Sequence, residues 1–294
     1  MKQTIGFVGL GLMGGWMVKH LLKDGYSVHV YDIDPKKIDE LAPYGAIAVA
    51  QLQQLPQLVD VVILSLPNST IVAQVIQDMN LYQAPVPRLV ILDTSTADPS
   101  LSTELAASLD ALGMHFMDAT VSGTSEMCAA KDTIFMVGGN EEVYQRCAPI
   151  FLGMGRESVY MGKSGTGAAI KLVVNLVLAI NRVGLAEGLT LAKQAGIDQL
   201  LALEVLKKSA AFSKAMDQKG YRMVHRDFYP PIGHMTTHYK DVQLMVSYAG
   251  KLQCPVPVIS FTAQALASEM AKRPGNRDSS AIICFYDDLI KKEE

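Results

Sequence analysis

The chain has 294 residues, 49% of them hydrophobic and 19% charged, with a formal net charge of −3. That length accommodates two domains of ordinary size, and so even a charge balance offers neither a basic field for nucleic acid nor an acidic tail. The four cysteines, Cys128, Cys147, Cys254 and Cys284, form no CxxC pair and the histidines no cluster, so thiols in a reducing, cytosolic setting are expected and a metal site is not.

The chain opens "MKQTIGFVGLGLMGG". A lysine ahead of a short apolar run resembles a weak export signal, but the run is full of glycines and lacks a small-residue cleavage site, so it reads as a first strand. Further strand-like runs follow at "SVHVYDI", "VDVVILSLP", "RLVILDT", "MHFMDA" and "TIFMVGG". They are continuously apolar rather than alternating, the pattern of strands covered on both faces of a parallel sheet. Segments 12–24, 35–42, 69–79, 98–112 and 141–152 have the length of crossover helices. The expected fold class is α/β, a Rossmann-type doubly wound and mostly parallel sheet followed by an all-α domain.

Gly9, Gly11 and Gly14 form GxGxxG between the first strand and a helix that Gly25 ends, and Asp32 closes the second strand in "HVYD". In that context the glycines allow a tight turn and close backbone approach, with the helix N-terminus facing a pyrophosphate. Asp32 would accept hydrogen bonds from the adenosine ribose and repel a 2′-phosphate, which selects NAD. Lys36 and Lys37 stand near enough to reach such a phosphate, so NADP stays open.

From about residue 164 the pattern becomes helical, with loop signals at "RDFYPPIGH" and "KRPGNRD". This divides the chain into a cofactor domain, 1–163, and a helical substrate and oligomerisation domain, 164–294, with a cleft expected between them. The run at 173–196 is apolar enough to be weighed as a membrane span. Asn175, Asn181, Arg182, Glu187 and Lys193 interrupt it, so a helix buried nearly all round in protein is expected instead. Apolar helices in this half, including 254–271, fit either a subunit interface or an internal core. Three polar islands stand out. Ser122, Gly123 and Thr124 could offer N–H groups and hydroxyls to a carboxylate. Lys171 and Asn175 share a helix face at i and i+4. Lys240 lies in "HYKDVQ". Each also has an ordinary reading, as a turn, a surface lysine or a solvated ion pair.

Together, "FVGLGLMG", "LPNS", "DTST", "DATVSG", "GTGAAIKLVVN" and "YKDV", with the ending "GNRDSSAI", resemble the β-hydroxyacid dehydrogenase family over nearly the whole chain. The resemblance implies that Lys171 is the acid/base and that Asn175 orients the substrate. Ser122, Gly123 and Thr124 would hold its carboxylate. The cofactor would lie along Gly9, Leu10, Gly11, Leu12, Met13 and Gly14, with Leu66, Pro67, Asn68 and Thr96 beside it. Lys240 would lie near both nicotinamide and substrate. It further implies a homodimer or homotetramer and chemistry without a metal. A lysine with a pKa of about 10.4 is a poor base near neutrality; desolvation against the apolar helix, with another cation nearby, would lower that value.

The chain departs from the family pattern at Thr120, where many relatives have proline, and at Thr124, where a second glycine is usual. Glu126 and Met127 are bulky where relatives have small residues in the same loop, His234 and His238 replace apolar residues, and Trp16 and Val18 are bulky for their helix. These changes bear on the substrate. The leading expectation is NAD-linked oxidation of a short 3-hydroxy acid such as 3-hydroxyisobutyrate. Reduction of tartronate or succinic semialdehyde is the alternative within the same chemistry. A silent NAD-binding interaction module is the alternative of another class, against which Lys171 speaks. A decarboxylating enzyme of phosphorylated sugar acids is disfavoured, because Val174 stands where that related family has histidine.

Overall fold

The unbroken apolar runs become strands buried on both faces. In the computed structural model, which describes residues 2–290, they are β1 (Ile5–Val8), β2 (Val28–Tyr31), β3 (Ile47–Ala48), β4 (Val61–Leu64), β5 (Val90–Asp93), β6 (His115–Ser122), β7 (Ile134–Gly138) and β8 (Glu157–Gly162). They form one sheet in the order β3-β2-β1-β4-β5-β6-β7-β8. Every neighbouring pair is parallel except β6 and β7.

Between the strands run α1 (Gly14–Lys23), α2 (Pro35–Asp39), α3 (Leu55–Leu58), α4 (Ser69–Asp78), α5 (Pro99–Asp110), α6 (Ser125–Ala129) and α7 (Glu141–Met154). Successive side chains of a strand serve opposite cores. Phe7, Ile63 and Leu92 pack with Met17 and Leu21 of α1, whereas Val62, Leu64 and Ile91 pack with Val72 and Ile76 of α4. The loop between β6 and β7 holds only the short α6, too little for a parallel crossover, so the chain returns antiparallel. β3 and β8 were not foreseen. β3 has two residues, and β8 is an edge strand with alternating rather than continuous burial.

The remaining helices are α8 (Thr166–Gln194), α9 (Gln199–Lys208), α10 (Tyr221–His225), α11 (Met235–Lys251), α12 (Pro257–Lys272) and α13 (Ile283–Leu289). The chain separates into two compact units, Met1–Lys171 and Leu172–Glu294, so the division falls inside α8. The second unit has its own core, built on Leu172, Ala179, Val183, Ala186 and Leu189 of α8 with Val242 and Met245 of α11 and Leu266 of α12.

The expectation that α8 is buried nearly all round needs correcting. By length and composition α8 could cross a bilayer, yet one side of it is in the core of the helical unit, and Val173, Val177 and Leu191 on it are 53%, 50% and 71% exposed. An amphipathic core helix buries only one stripe; here the other stripe is apolar as well.

Candidate functional site

The glycine turn shows why each of its glycines is required. Gly9 has φ +93°, and a Cβ on it would stand 2.3 Å from the Ser65 carbonyl oxygen. On Gly14 a Cβ would stand 2.0 Å from the Gly9 carbonyl oxygen. Both are therefore fixed by packing of the turn against β4 and of α1 against the turn. A Cβ on Gly11 would meet no protein atom within 4 Å, so the backbone there is left open to a ligand, as a dinucleotide cradle demands. Asp32 closes the arrangement: its Oδ2 accepts the Leu10 N–H at 2.6 Å and its Oδ1 the Asp34 N–H at 2.9 Å. Of the two neighbouring lysines, Lys37 is already paired with Glu40 at 3.0 Å.

Behind the turn, the sheet unit encloses a cavity of about 200 Å³. Met13, Leu66, Thr96, Gly123 and Lys171, all expected at the site, line it together. So do Met17, Ser65, Thr94, Ser95 and Val121, which had not been assigned. The walls are held by short polar links. The Leu66 N–H donates to Ser95 Oγ at 2.9 Å, the Ser95 N–H donates to Asp93 Oδ1 at 2.9 Å, and Thr94 Oγ1 donates to the Leu64 carbonyl at 2.8 Å. Burial pushes the Asp93 carboxyl up to about 7, the bonds from Ser95 oppose that rise, and Asp118 adds to it.

Lys171 reaches this cavity from the second turn of α8, whose start is tied to β6. Asp118 Oδ1 accepts the Gly165 N–H at 2.8 Å and Oδ2 accepts the Ala168 N–H at 2.8 Å. A distant carboxylate thus satisfies N–H groups at the helix start and complements its dipole. Burial pushes Asp118 above the ordinary carboxylate range, against the pull of those N–H groups. Thr120 Oγ1 donates to the Gly167 carbonyl at 2.7 Å, a bond that proline at this position could not make. Gly167 itself is obligatory, because a Cβ there would stand 2.3 Å from the Asp118 carbonyl oxygen.

The other expected residues are distributed as follows. Ser122 ends β6, and Thr124 is the N-cap of α6, its hydroxyl accepting the Met127 N–H at 3.2 Å. Asn68 is the N-cap of α4, its Oδ1 accepting the Ile71 N–H at 3.0 Å, so that side-chain oxygen serves the helix. Pro67 precedes it. Asn175 follows Lys171 by one turn on α8 and belongs to the helical unit, as does Lys240 on α11, which lies 3.4 Å from Asp241. Among the described residues no group of three or more His, Cys, Asp or Glu side chains could hold a metal ion.

Residues 4–162 match the family model of the NAD-binding domain of 6-phosphogluconate dehydrogenase, and residues 165–286 match that of the NAD-binding region of NADP-dependent 3-hydroxyisobutyrate dehydrogenase. The chain is 30% identical over 286 residues to 2-(hydroxymethyl)glutarate dehydrogenase of Eubacterium barkeri, covering 97% of this chain and 95% of that one. It is 31% identical over 284 residues to 2-hydroxy-3-oxopropionate reductase of Escherichia coli, covering 96% of each. Among solved structures, 3-hydroxyisobutyrate dehydrogenase of Mycobacterium tuberculosis with L-serine superposes with a TM-score of 0.88 at 27% identity, over 97% of this chain and 99% of the other.

Proposed function

We propose that this chain, which belongs to the β-hydroxyacid dehydrogenase family of NAD(P)-dependent oxidoreductases, oxidises a short 3-hydroxy acid to its semialdehyde, with 3-hydroxyisobutyrate the first compound to try. The observation that carries this reading is the cavity shared by Lys171, Gly123, Thr96 and Leu66 behind an open glycine turn. Gly9, Gly11 and Gly14 would hold the cofactor's pyrophosphate, and Asp32 its ribose hydroxyls, which favours NAD over NADP. Bound there, NAD would supply the acceptor for the hydride of the carbinol carbon. Lys171, as the free amine, takes the hydroxyl proton as the carbonyl forms; in the reverse direction its ammonium returns that proton and attracts the developing alkoxide. On the family resemblance, Ser122, Gly123 and Thr124 would hold the substrate carboxylate, Asn175 would orient the substrate, and Lys240 would lie near nicotinamide and substrate.

The reductase similarity at 31% identity supports a second reading, in which the physiological direction is reduction of a small aldehyde acid. A homo-oligomer is proposed from the exposed apolar side of α8, and a cytosolic location from four free thiols. The test is a panel of short hydroxy acids and semialdehydes, including 3-hydroxyisobutyrate and 2-(hydroxymethyl)glutarate, with NAD and NADP and read by nicotinamide absorbance. Lys171→Ala should lower kcat by about 10²–10⁴-fold with NAD affinity nearly intact. Undiminished turnover would remove Lys171 from the mechanism, and NAD binding without turnover of any acid would favour a silent binding module.

A further inference from the structure

Asp118 and Thr120 stand on one face of β6, fully buried, and both reach the start of α8. Their neighbours Met117, Ala119 and Val121 belong to the core on the other face. The two side chains take hold of a single peptide group, the one that joins Gly167 to Ala168. Thr120 Oγ1 donates to its carbonyl at 2.7 Å, and Asp118 Oδ2 accepts its N–H at 2.8 Å. That peptide group lies directly beneath Lys171. The helix is in α register from its first turn, where the Ala169 N–H bonds the Gly165 carbonyl at 2.9 Å. In the same register the Gly167 carbonyl accepts the N–H of Lys171.

Left to itself this helix start would be loose. Gly162, Gly165 and Gly167 lead up to Lys171, glycine is a poor helix former, and the first N–H groups of any helix lack partners within it. The grip from β6 is also direct. A Cβ on Gly167 would stand 2.3 Å from the Asp118 carbonyl oxygen and 2.5 Å from that of Met136. The first turn of α8 therefore rests on the backbone of β6 and β7 with no side chain between them, and such close-packed contacts transmit displacement instead of absorbing it. The platform is held on both edges, because Asp118 has Asp93 of β5 and Gly138 of β7 as its register partners. Two residues beyond Thr120 the strand ends at Ser122, and Gly123 then shares the cavity with Lys171.

We propose that Asp118 and Thr120 are positioning residues for proton transfer at Lys171: by holding the Gly167–Ala168 peptide group they fix the lysine relative to the loop that ends β6. This rests on the reading of Lys171 as the acid/base and of Ser122, Gly123 and Thr124 as the partners of the substrate carboxylate. One strand then places both ends of the reacting molecule, the carboxylate through its own last residues and the hydroxyl through the helix it grips. The demand for such precision is physical. Proton transfer needs donor and acceptor at hydrogen-bond distance, and a misplacement of about 1 Å costs on the order of 10²-fold in rate. The departure at Thr120, where many relatives have proline, thereby acquires a use, since a proline ring has no hydroxyl to give to Gly167.

The test follows NAD-dependent oxidation of 3-hydroxyisobutyrate, or of the best acid in the panel above, by the full-length enzyme, Thr120→Val, Thr120→Ser and Asp118→Asn. Each change is also made in Lys171→Ala. Valine keeps the shape of Thr120 and leaves the Gly167 carbonyl its helical partner, so Thr120→Val should fold, as judged by circular dichroism and melting. It should lower kcat by about 10–100-fold while KM and NAD affinity stay within about threefold. Thr120→Ser, which keeps the hydroxyl, should restore most of the rate. In Lys171→Ala the same valine should change the residual turnover little, because a residue that acts through Lys171 has nothing left to position. An unchanged kcat in Thr120→Val, or a fall by the same factor with and without Lys171, overturns the proposal and leaves the dehydrogenase reading intact. Turnover of none of the acids by the native enzyme defeats that reading, and the proposal with it. If Thr120→Val does not fold, Asp118→Asn, which turns one of the two acceptor oxygens into a donor, is held to the same outcomes.

Discussion

In the sheet unit the buried carboxylates of Asp93 and Asp118 are held by neutral donors, the N–H groups of Ser95, Gly165 and Ala168. In the helical unit Asp278 is held by Lys219, and Glu269 by Arg273 and Arg277 at 2.6 Å each. The difference shows in their titration. Burial raises both acids of the sheet unit, whereas for Asp278 the bonds from Lys219, Ser280 and Gly233 outweigh burial and hold it below the usual carboxylate range. A sensitivity to pH is thus built into the unit that carries the cavity, and a sensitivity to loss of a partner into the helical unit.

The largest effect should come from breaking an ion pair. Lys219→Met leaves Asp278 charged and fully buried, and should cost about 3–5 kcal/mol of unfolding free energy in urea titrations. A loss below about 1 kcal/mol would erase the contrast between the units. Asp93→Asn sharpens the other side. The folded Asp93 carboxyl, at about 7, keeps its proton where an unfolded one, at 3.8, has lost it. Its contribution to stability is complete below about pH 4 and is lost as pH rises toward about 7. The native protein should therefore lose about 1–4 kcal/mol relative to Asp93→Asn between pH 4 and pH 8, and parallel pH–stability curves would contradict this. The smallest effect belongs to a neutral bond. Thr120→Val removes the donor to Gly167 while keeping the shape, and should cost about 0.5–1.5 kcal/mol. A larger loss would mean that the tie between β6 and α8 is worth more than one hydrogen bond.

Local chemistry explains which parts were legible in the sequence. Six of the eight strands could be read, because burial on both faces writes an unbroken apolar run; β8 escaped because an edge strand writes only a partial alternation. The glycine turn and Asp32 were readable because their partners lie within one βαβ unit. Met13, Leu66, Thr96, Gly123 and Lys171 were named through family resemblance, and the fold gathers them. The supports of the site were hidden. Asp118 bonds groups 47 and 50 residues away, and Ser95 supports Leu66 across 29. No periodicity or local spacing announces such partners. The exposure of Val173 and Val177 was illegible for a different reason: an apolar residue looks the same whether it faces its own core or a neighbour.

The division of the chain inside α8 sets a limit on dissection. A fragment ending at Lys171 would keep six residues of a 29-residue helix, well short of the roughly 12–15 at which an isolated helix becomes even marginal in water. The complementary fragment would begin with a helix that has lost its first turn, which stays in the other piece with Asp118 and Thr120, the residues that tie it down. Neither half, expressed alone, would present Lys171 and Asn175 on an ordered face. The gene can be cut into two autonomous-looking pieces, but the pair proposed to react belongs to the uncut strand of polypeptide that joins them.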